Sequence, residues 1–535
     1  MSDLLGQTIQ YWLPSADELK LFGPDFALVG TIIVILIGSM IVGKRSGVCA
    51  WLALAGLVVA FFLNMNVAGM ISSAGAQAGM EPGAAPTMLI ADNLTVFFKG
   101  LLFVFAVAVI GLWMIGSAAQ EKDAPEFMVL LLGSALGMSL MVSTLNLLMI
   151  IIAIELASLP SYAMVAFDKR SRPGAEGAMK YVVFGSISAG IMVYGASLLY
   201  GMFGTLDVPL IAVQATTMLQ TGQNTVLLAV AVFMFLVGVG FKISAVPFHF
   251  WCPDVFEGAK IEVTTWLSVV SKAAGLCLLM RIMYTAASAA GAAPLTGQSA
   301  LLNLVPMTVV IGVFAAVTCF VGNLAAYRQT SVKRLLAYSS IAHAGYMLAL
   351  AAIILRPGVS EGALLALVVY LGTYVFMNLG AFGATALVVW KTGSDDIEQF
   401  NGLGRRAPVL AFGMTVCLFS LVGMPPLAGF WAKLWLLMAL ANEGGWLWWL
   451  VVWVSLNTLF SLFYYLRIMN HMYFKDDGRE RLGASPAGVA VVGLCAVVLM
   501  LGGTFLVDRA RTEASKYAQG LFEAKAVSDG LAQSE

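Results

Sequence analysis

The chain has 535 residues, 60% of them hydrophobic and 11% charged, with Lys+Arg and Asp+Glu balanced at 29 each. A soluble domain carries about 25% charged residues, and a mean hydropathy of +0.91 leaves too little polar surface to cover a water-soluble globule. Charge and composition exclude a nucleic-acid binder, a secreted disulfide scaffold and a disordered tail, and leave an all-α polytopic protein of the lipid bilayer.

The N-terminal stretch MSDLLGQTIQYWLPSADELK has no basic region and no small-residue cleavage site before the first apolar run, so no cleavable signal is expected. Apolar runs of membrane-crossing length, about 20 residues, follow at 26–42, 48–67, 94–115, 128–141, 145–167, 178–203, 225–245, 263–283, 304–326, 335–355, 362–390, 409–441, 446–472 and 487–507. These are fourteen predicted spans. The fourth is short. As one helix, however, 126–167 would be roughly 60 Å long, twice the hydrocarbon thickness, so a turn near Ser143 and Thr144 is predicted.

Basic residues sort by side. Alternate connections carry Lys44, Arg45, Lys122, Lys169, Arg170, Arg172, Lys260, Arg328, Lys333, Arg334, Lys391, Arg405, Arg406, Lys475, Arg479 and Arg481. The opposing connections carry only Arg356. By the positive-inside rule the first set is cytoplasmic. Both termini, with Lys20, Arg509, Arg511, Lys516 and Lys525, then fall on the periplasmic side.

Six cysteines (Cys49, Cys252, Cys277, Cys319, Cys417, Cys495) are far apart with no CxxC, and His249, His343 and His471 are scattered. No GxGxxG, GxxxxGK[ST] or GxSxG occurs. No metal, iron–sulfur cluster or bound cofactor is therefore expected in this chain. His471 reads as interfacial, and the aromatic run WLWWLVVWV (446–454) as packing rather than a quinone site.

Seven basic residues remain in the spans. Lys99, Lys180, Arg281 and Arg467 lie near span ends, where they are expected to snorkel. Lys242, Lys272 and Lys433 lie deep in apolar runs, and Glu155 stands alone in LNLLMIIIAIELASLP. A charge at mid-bilayer costs about 2.5–3.5 kcal/mol on insertion scales. One acid cannot neutralise three ammonium groups. Buried structural ion pairs are one account. The other is a proton path, for which lysine is suited, because burial lowers its pKa readily while arginine stays charged.

Helix breakers mark the same layer. Pro247 follows Lys242, and Pro425 and Pro426 precede Lys433, interrupting spans 7 and 12. Their five-span separation predicts two five-helix units, spans 4–8 (126–290) and 9–13 (300–474). Three N-terminal spans (1–125) precede them, and span 14 with the tail (475–535) follows.

Several stretches resemble one family. IAIELASLPSYAMVAF (152–167), KYVVFGSISAGIMVYGASLLYGMFGTLD (180–207), GFKISAVPFHFWCPDVFEGA (240–259), SVVSKAAG (268–275), YRQTSVKRLLAYSSIAHAGYML (327–348) and LVGMPPLAGFWAKLWL (421–436) resemble the antiporter-like, proton-pumping membrane subunits of complex I. The closest likeness is to subunit N of bacterial NADH–quinone oxidoreductase. The resemblance implies inverted five-helix repeats with broken helices 7 and 12, in a multi-pass protein of the bacterial inner membrane. It implies that Glu155 pairs with a lysine, that Lys242, Lys272 and Lys433 carry protons, and that His343 lies near the path, with His249 toward the cytoplasmic side. It further implies a translocase driven by quinone reduction, with NADH, FMN, iron–sulfur clusters and quinone all in partner subunits. The partners implied are antiporter-like subunit M and small subunits such as K. The alternative is a stand-alone or Mrp-like cation/proton antiporter subunit. Lys260-Ile261-Glu262 departs from the small, proline-containing stretch that usually follows EGA.

Overall fold

A computed structural model describes residues 16–42, 46–74, 88–116, 123–222, 224–292, 297–354, 360–442, 444–475, 478–504 and 512. Lys44, Arg45, Lys122, Arg356, Arg509, Arg511, Lys516 and Lys525 lie outside the described residues. The main helices in chain order are α1 (Gly23–Val42), α2 (Ser46–Ala74), α3 (Asn93–Gly116), α4 (Ala124–Val142), α5 (Leu147–Val165), α6 (Arg172–Phe203), α7 (Val208–Thr221), α8 (Thr225–Ile243) and α9 (Trp251–Gly258). They continue as α10 (Ile261–Trp266), α11 (Lys272–Ala292), α12 (Gly297–Ala326), α13 (Val332–Ile354), α14 (Ser360–Thr392), α15 (Pro408–Val422), α16 (Ala428–Asn442), α17 (Trp448–Tyr473) and α18 (Pro486–Thr504). A π-helical turn, Leu267–Ser271, joins α10 to α11.

Among the described residues thirteen stretches are long and apolar enough to cross a membrane. The remaining predicted span is built from two half-length helices, α15 and α16, end to end. The span count and the turn at Ser143 and Thr144 therefore hold. Span 7 is likewise split, into α8 and α9. Chain signals set these ends. Asn146 caps α5 by accepting from the Leu148 and Met149 amides, and Ser171 caps α6 from the Gly174 amide at 3.1 Å. α8 ends at Ser244 and α15 at Gly423, both left-handed, with φ of 62° and 87°.

Two seams recur. A Cβ on Gly137 of α4 would come within 2.2 Å of the Ala157 backbone nitrogen on α5, and one on Gly322 of α12 within 2.6 Å of that of Ala342 on α13. The same register joins Asn146, bridged to Asp207, with Ser331, bridged to Asp396. An odd number of crossings separates the two bridges, so they lie on opposite sides of the bundle. This is the pattern of an inverted five-helix repeat.

The helices of the interior are enclosed to different degrees. The crossing of α10 and α11, with Lys272, and α13, with His343, are almost wholly buried, whereas α8 buries only the half that carries Lys242 and α1 is mostly exposed. The outer helices instead turn apolar residues such as Val183, Ile187 and Tyr194 outward, as lipid requires.

Two cations expected to snorkel are instead buried and paired. Lys99 Nζ lies 2.6 Å from Asp25, whose second oxygen accepts from Ser139 at 2.5 Å. Arg281 grips Asp92 with both terminal nitrogens, at 2.6 and 2.8 Å. An ion removed from water needs a partner of good geometry, and the partner acids lie too far away in sequence for span-end position to betray them. Lys180 is half-buried and pairs with Glu176 and Asp254. Arg467 donates to the Tyr327 carbonyl at 2.6 Å and to that of Gln329. His471, in the last turn of α17, is buried between Asn401 at 2.8 Å and Lys475 at 3.0 Å.

Candidate functional site

The two broken helices create the site. Where α8 stops, the ladder of backbone hydrogen bonds opens before Pro247, and Lys242 is the penultimate residue of the helix, with no exposure to solvent. The Trp251 indole closes the break by donating to the Phe241 carbonyl at 3.2 Å and stacking on Tyr181 at 4.2 Å. Lys242 Nζ makes no hydrogen bond to protein. Glu155, half-buried on α5, acts on it through charge without bonding to it. The expected Glu155–Lys242 relationship is thus electrostatic, not a closed ion pair.

Gly275 lets α11 approach this break: a Cβ there would sit 3.3 Å from Lys242 Cβ. One turn earlier is Lys272, also fully buried. Its ammonium donates to Ser340 Oγ, lies 3.6 Å from Cys252 Sγ, and stands 5.3 Å from the Phe256 ring centre. Ser244, at the break below Lys242, is buried and its hydroxyl has no hydrogen-bond partner. The Cys252 thiol and the Ser340 hydroxyl thus surround the second lysine, while the Lys242 ammonium and the Ser244 hydroxyl beside the break are both buried without a bonded partner.

From Ser340 the arrangement runs along one face of α13, since residues three apart on a helix are neighbours. His343 follows, with Nδ1 2.8 Å from the Tyr370 hydroxyl. On this helix His343 is flanked by Ser340, which binds the Lys272 ammonium, and by Tyr346, over which the Lys433 ammonium stands. Tyr346 comes next, and the Lys433 ammonium stands 4.9 Å from its ring centre.

Lys433 belongs to α16, beyond the second break. Its ammonium reaches back across the break and donates to the Val422 carbonyl at 3.0 Å, one of the groups freed where α15 ends. A Cβ on Gly423 would meet the lysine stem at 2.9 Å, so glycine there serves both the left-handed turn and the passage of the side chain. The two breaks are therefore used differently: Lys242 precedes its break and Lys433 follows its own.

Of the predicted site residues, Lys242, Lys272, His343 and Lys433 converge on one interior file, with Glu155 at its edge. His249 stands apart. It is buried beside a cleft of about 280 Å³ lined by Lys180, Phe250, Asp254, Arg334 and Tyr338. Sequence reasoning missed Cys252, Ser340, Tyr346 and Tyr370. For Ser340 and Tyr346 the available signal was their spacing of three about His343 in SSIAHAGY. Among the described residues no group of three or more His, Cys, Asp or Glu could hold a metal ion.

Residues 144–461 match the family described as NADH:quinone oxidoreductase/Mrp antiporter, TM. The chain is 36% identical to NADH-quinone oxidoreductase subunit N of Anaeromyxobacter sp., across 95% of this chain and 99% of the relative. It is also 36% identical to F(420)H(2) dehydrogenase subunit N of Methanosarcina mazei, across 91% and 96%. Among solved structures, a chain of respiratory complex I from Thermus thermophilus with bound aureothin is 31% identical. It superposes with a TM-score of 0.70 over 91% of this chain and 98% of that one.

Proposed function

This chain belongs to the family of NADH:quinone oxidoreductase and Mrp antiporter membrane subunits, and from that premise we propose that it carries protons in the membrane arm of an NADH–quinone oxidoreductase. The carrier groups are Lys242, Lys272, His343 and Lys433, with Glu155 biasing the first. The supporting observation is the contact order of the interior file. Lys272 bonds to Ser340, and Ser340 shares a helix face with His343 and Tyr346, beneath the Lys433 ammonium.

A buried ammonium with no protein partner has to be hydrated or give up its proton. Lys242 is in that position. Glu155 favours its charged form. Moving that carboxylate, or opposing it with a charge from a neighbouring subunit, releases the proton toward Cys252 and Ser244 and so to Lys272. Ser340 and His343 then hand it to Lys433, which discharges it outward. Each charge moved works against about 2.3 kcal/mol per 100 mV. That work comes from quinone reduction in partner subunits, which hold the NADH, FMN, iron–sulfur and quinone sites. Subunit M and small subunits such as K are the neighbours proposed, in a bacterial inner membrane with both termini periplasmic. On this reading 126–290 and 300–474 are the two transport units, and His249 with its cleft forms the cytoplasmic mouth.

The test is proton pumping by the assembled enzyme carrying Lys242→Ala or Glu155→Ala. Both should lower the number of protons moved per electron pair. Normal pumping in both would defeat the scheme. Sodium-dependent exchange by the chain reconstituted alone would favour the antiporter alternative.

A further inference from the structure

The second unit contains a buried polar cluster that the proton file does not use. Asn323 of α12 donates from Nδ2 to the Tyr346 hydroxyl at 2.9 Å and to the Asn457 backbone carbonyl at 3.0 Å, and its Oδ1 accepts from the Tyr464 hydroxyl at 3.1 Å. Asn457 of α17 adds its own side-chain oxygen as an acceptor, 3.2 Å from Asn323 Nδ2, and anchors its Nδ2 on the Trp453 carbonyl at 2.9 Å. Tyr465 bonds to Ser339 beside them. All these side chains are buried. Beyond Tyr464 the cluster meets Tyr327, with ring centres 6.2 Å apart, at the end of the bundle where α12 gives way to α13.

Polar groups therefore lead from Lys433, over Tyr346, toward the face that the basic connections mark as cytoplasmic. If every member of that series could relay a proton, Lys433 would drain backward. The phenols can relay, since a hydroxyl accepts one proton while releasing another. A carboxamide cannot do so at ordinary cost: its NH2 only donates and its carbonyl only accepts. Asn323 is the group interposed between the two phenols, with its donor side on Tyr346 and its acceptor side on Tyr464.

We propose that the Asn323–Asn457 pair is a proton barrier that keeps Lys433 from the cytoplasmic side and so gives the file its direction. The proposal rests on the reading of Lys433 as a proton carrier.

The experiment uses the whole complex, purified and reconstituted in liposomes, with electron transfer off and a pH difference imposed across the membrane. Asn323→Asp, and independently Asn457→Asp, replace an amide by a group of the same shape that can pass a proton. Quinone reductase activity confirms assembly of each. The imposed gradient should collapse several-fold faster than in the parent, and adding Lys433→Gln should restore the seal. Asn323→Leu, apolar and unable to relay, should stay sealed. A gradient held as well as the parent's by both Asp variants overturns the barrier. So does a leak in Asn323→Leu as large as in Asn323→Asp, or a leak that survives Lys433→Gln. Normal pumping by Lys433→Gln alone is a separate outcome: it defeats the underlying proton file, so the two failures are told apart.

Discussion

Ser340 occupies in the second five-helix unit the position that Glu155 occupies in the first, and it is Ser340 that receives the hydrogen bond of the Lys272 ammonium. One position thus handles a lysine in two ways. On α5 it acts at a distance, by full charge. On α13 it acts in contact, by a neutral hydroxyl that can also hand a proton on.

Ser340→Ala should uncouple. It leaves Lys272 only the Cys252 thiol at 3.6 Å and the Phe256 ring. A hydrogen bond to a charged group is worth about 1.5–3 kcal/mol, enough to shift the Lys272 proton equilibrium by one to two orders of magnitude. Protons pumped per electron pair should fall in the Ala variant and recover in Ser340→Thr. An unchanged ratio in Ser340→Ala would take the serine out of the path.

Lys272→Arg should assemble yet pump poorly. Arginine preserves the positive charge but does not release its proton in a protein. Lys433→Arg should behave alike, because its ammonium lies at the other end of the same file. Dye-quench measurements of acidification in reconstituted vesicles decide this. Wild-type acidification by either variant would mean that the charge alone matters.

Tyr370→Phe and His343→Phe separate orientation from relay. The first removes only the hydroxyl that fixes Nδ1, a loss of about 1 kcal/mol, and should lower pumping mildly. The second removes the ring nitrogens and should lower it more. Equal effects would assign His343 a packing role.

Arg281 and Asp92 should report on stability rather than transport. Arg281→Leu strands a buried carboxylate, and breaking such a pair costs about 3–5 kcal/mol. The detergent-solubilised complex should melt lower or fail to assemble. Arg281→Leu with Asp92→Leu should be the milder lesion. A single variant as stable as the parent would show that the pair holds nothing.

Gly137→Ala should disturb the α4–α5 seam, where its methyl would overlap the Ala157 backbone at 2.2 Å. Overpacking typically costs about 1–3 kcal/mol. Gly133→Ala is the matched comparison, since its methyl would meet only the Pro160 ring, at an ordinary 3.5 Å. Assembly yield on native gels should fall for the first and hold for the second.

The spans were readable because hydrocarbon imposes length and apolarity on every crossing, and the breaks because Pro247, Pro425 and Pro426 cannot continue a helix. Lys242, Lys272 and Lys433 announced themselves by cost. Ser340 and Cys252 did not, because small polar residues are unremarkable in a span. Ser158, Thr265 and Thr318 all bond to their own helix four residues back. Only the register between α11 and α13 distinguishes Ser340 from these. The pairings of Lys99 and Arg281 were illegible for a related reason: their acids lie 74 and 189 residues away along the chain, and no local pattern encodes such a meeting.

The two bridges, one on each side of the bundle, also separate the fates of the halves. Because the units point opposite ways, a change at one position and the same change at its counterpart act from opposite faces of the membrane, so a charge such as Glu155 need not be matched by one at Ser340.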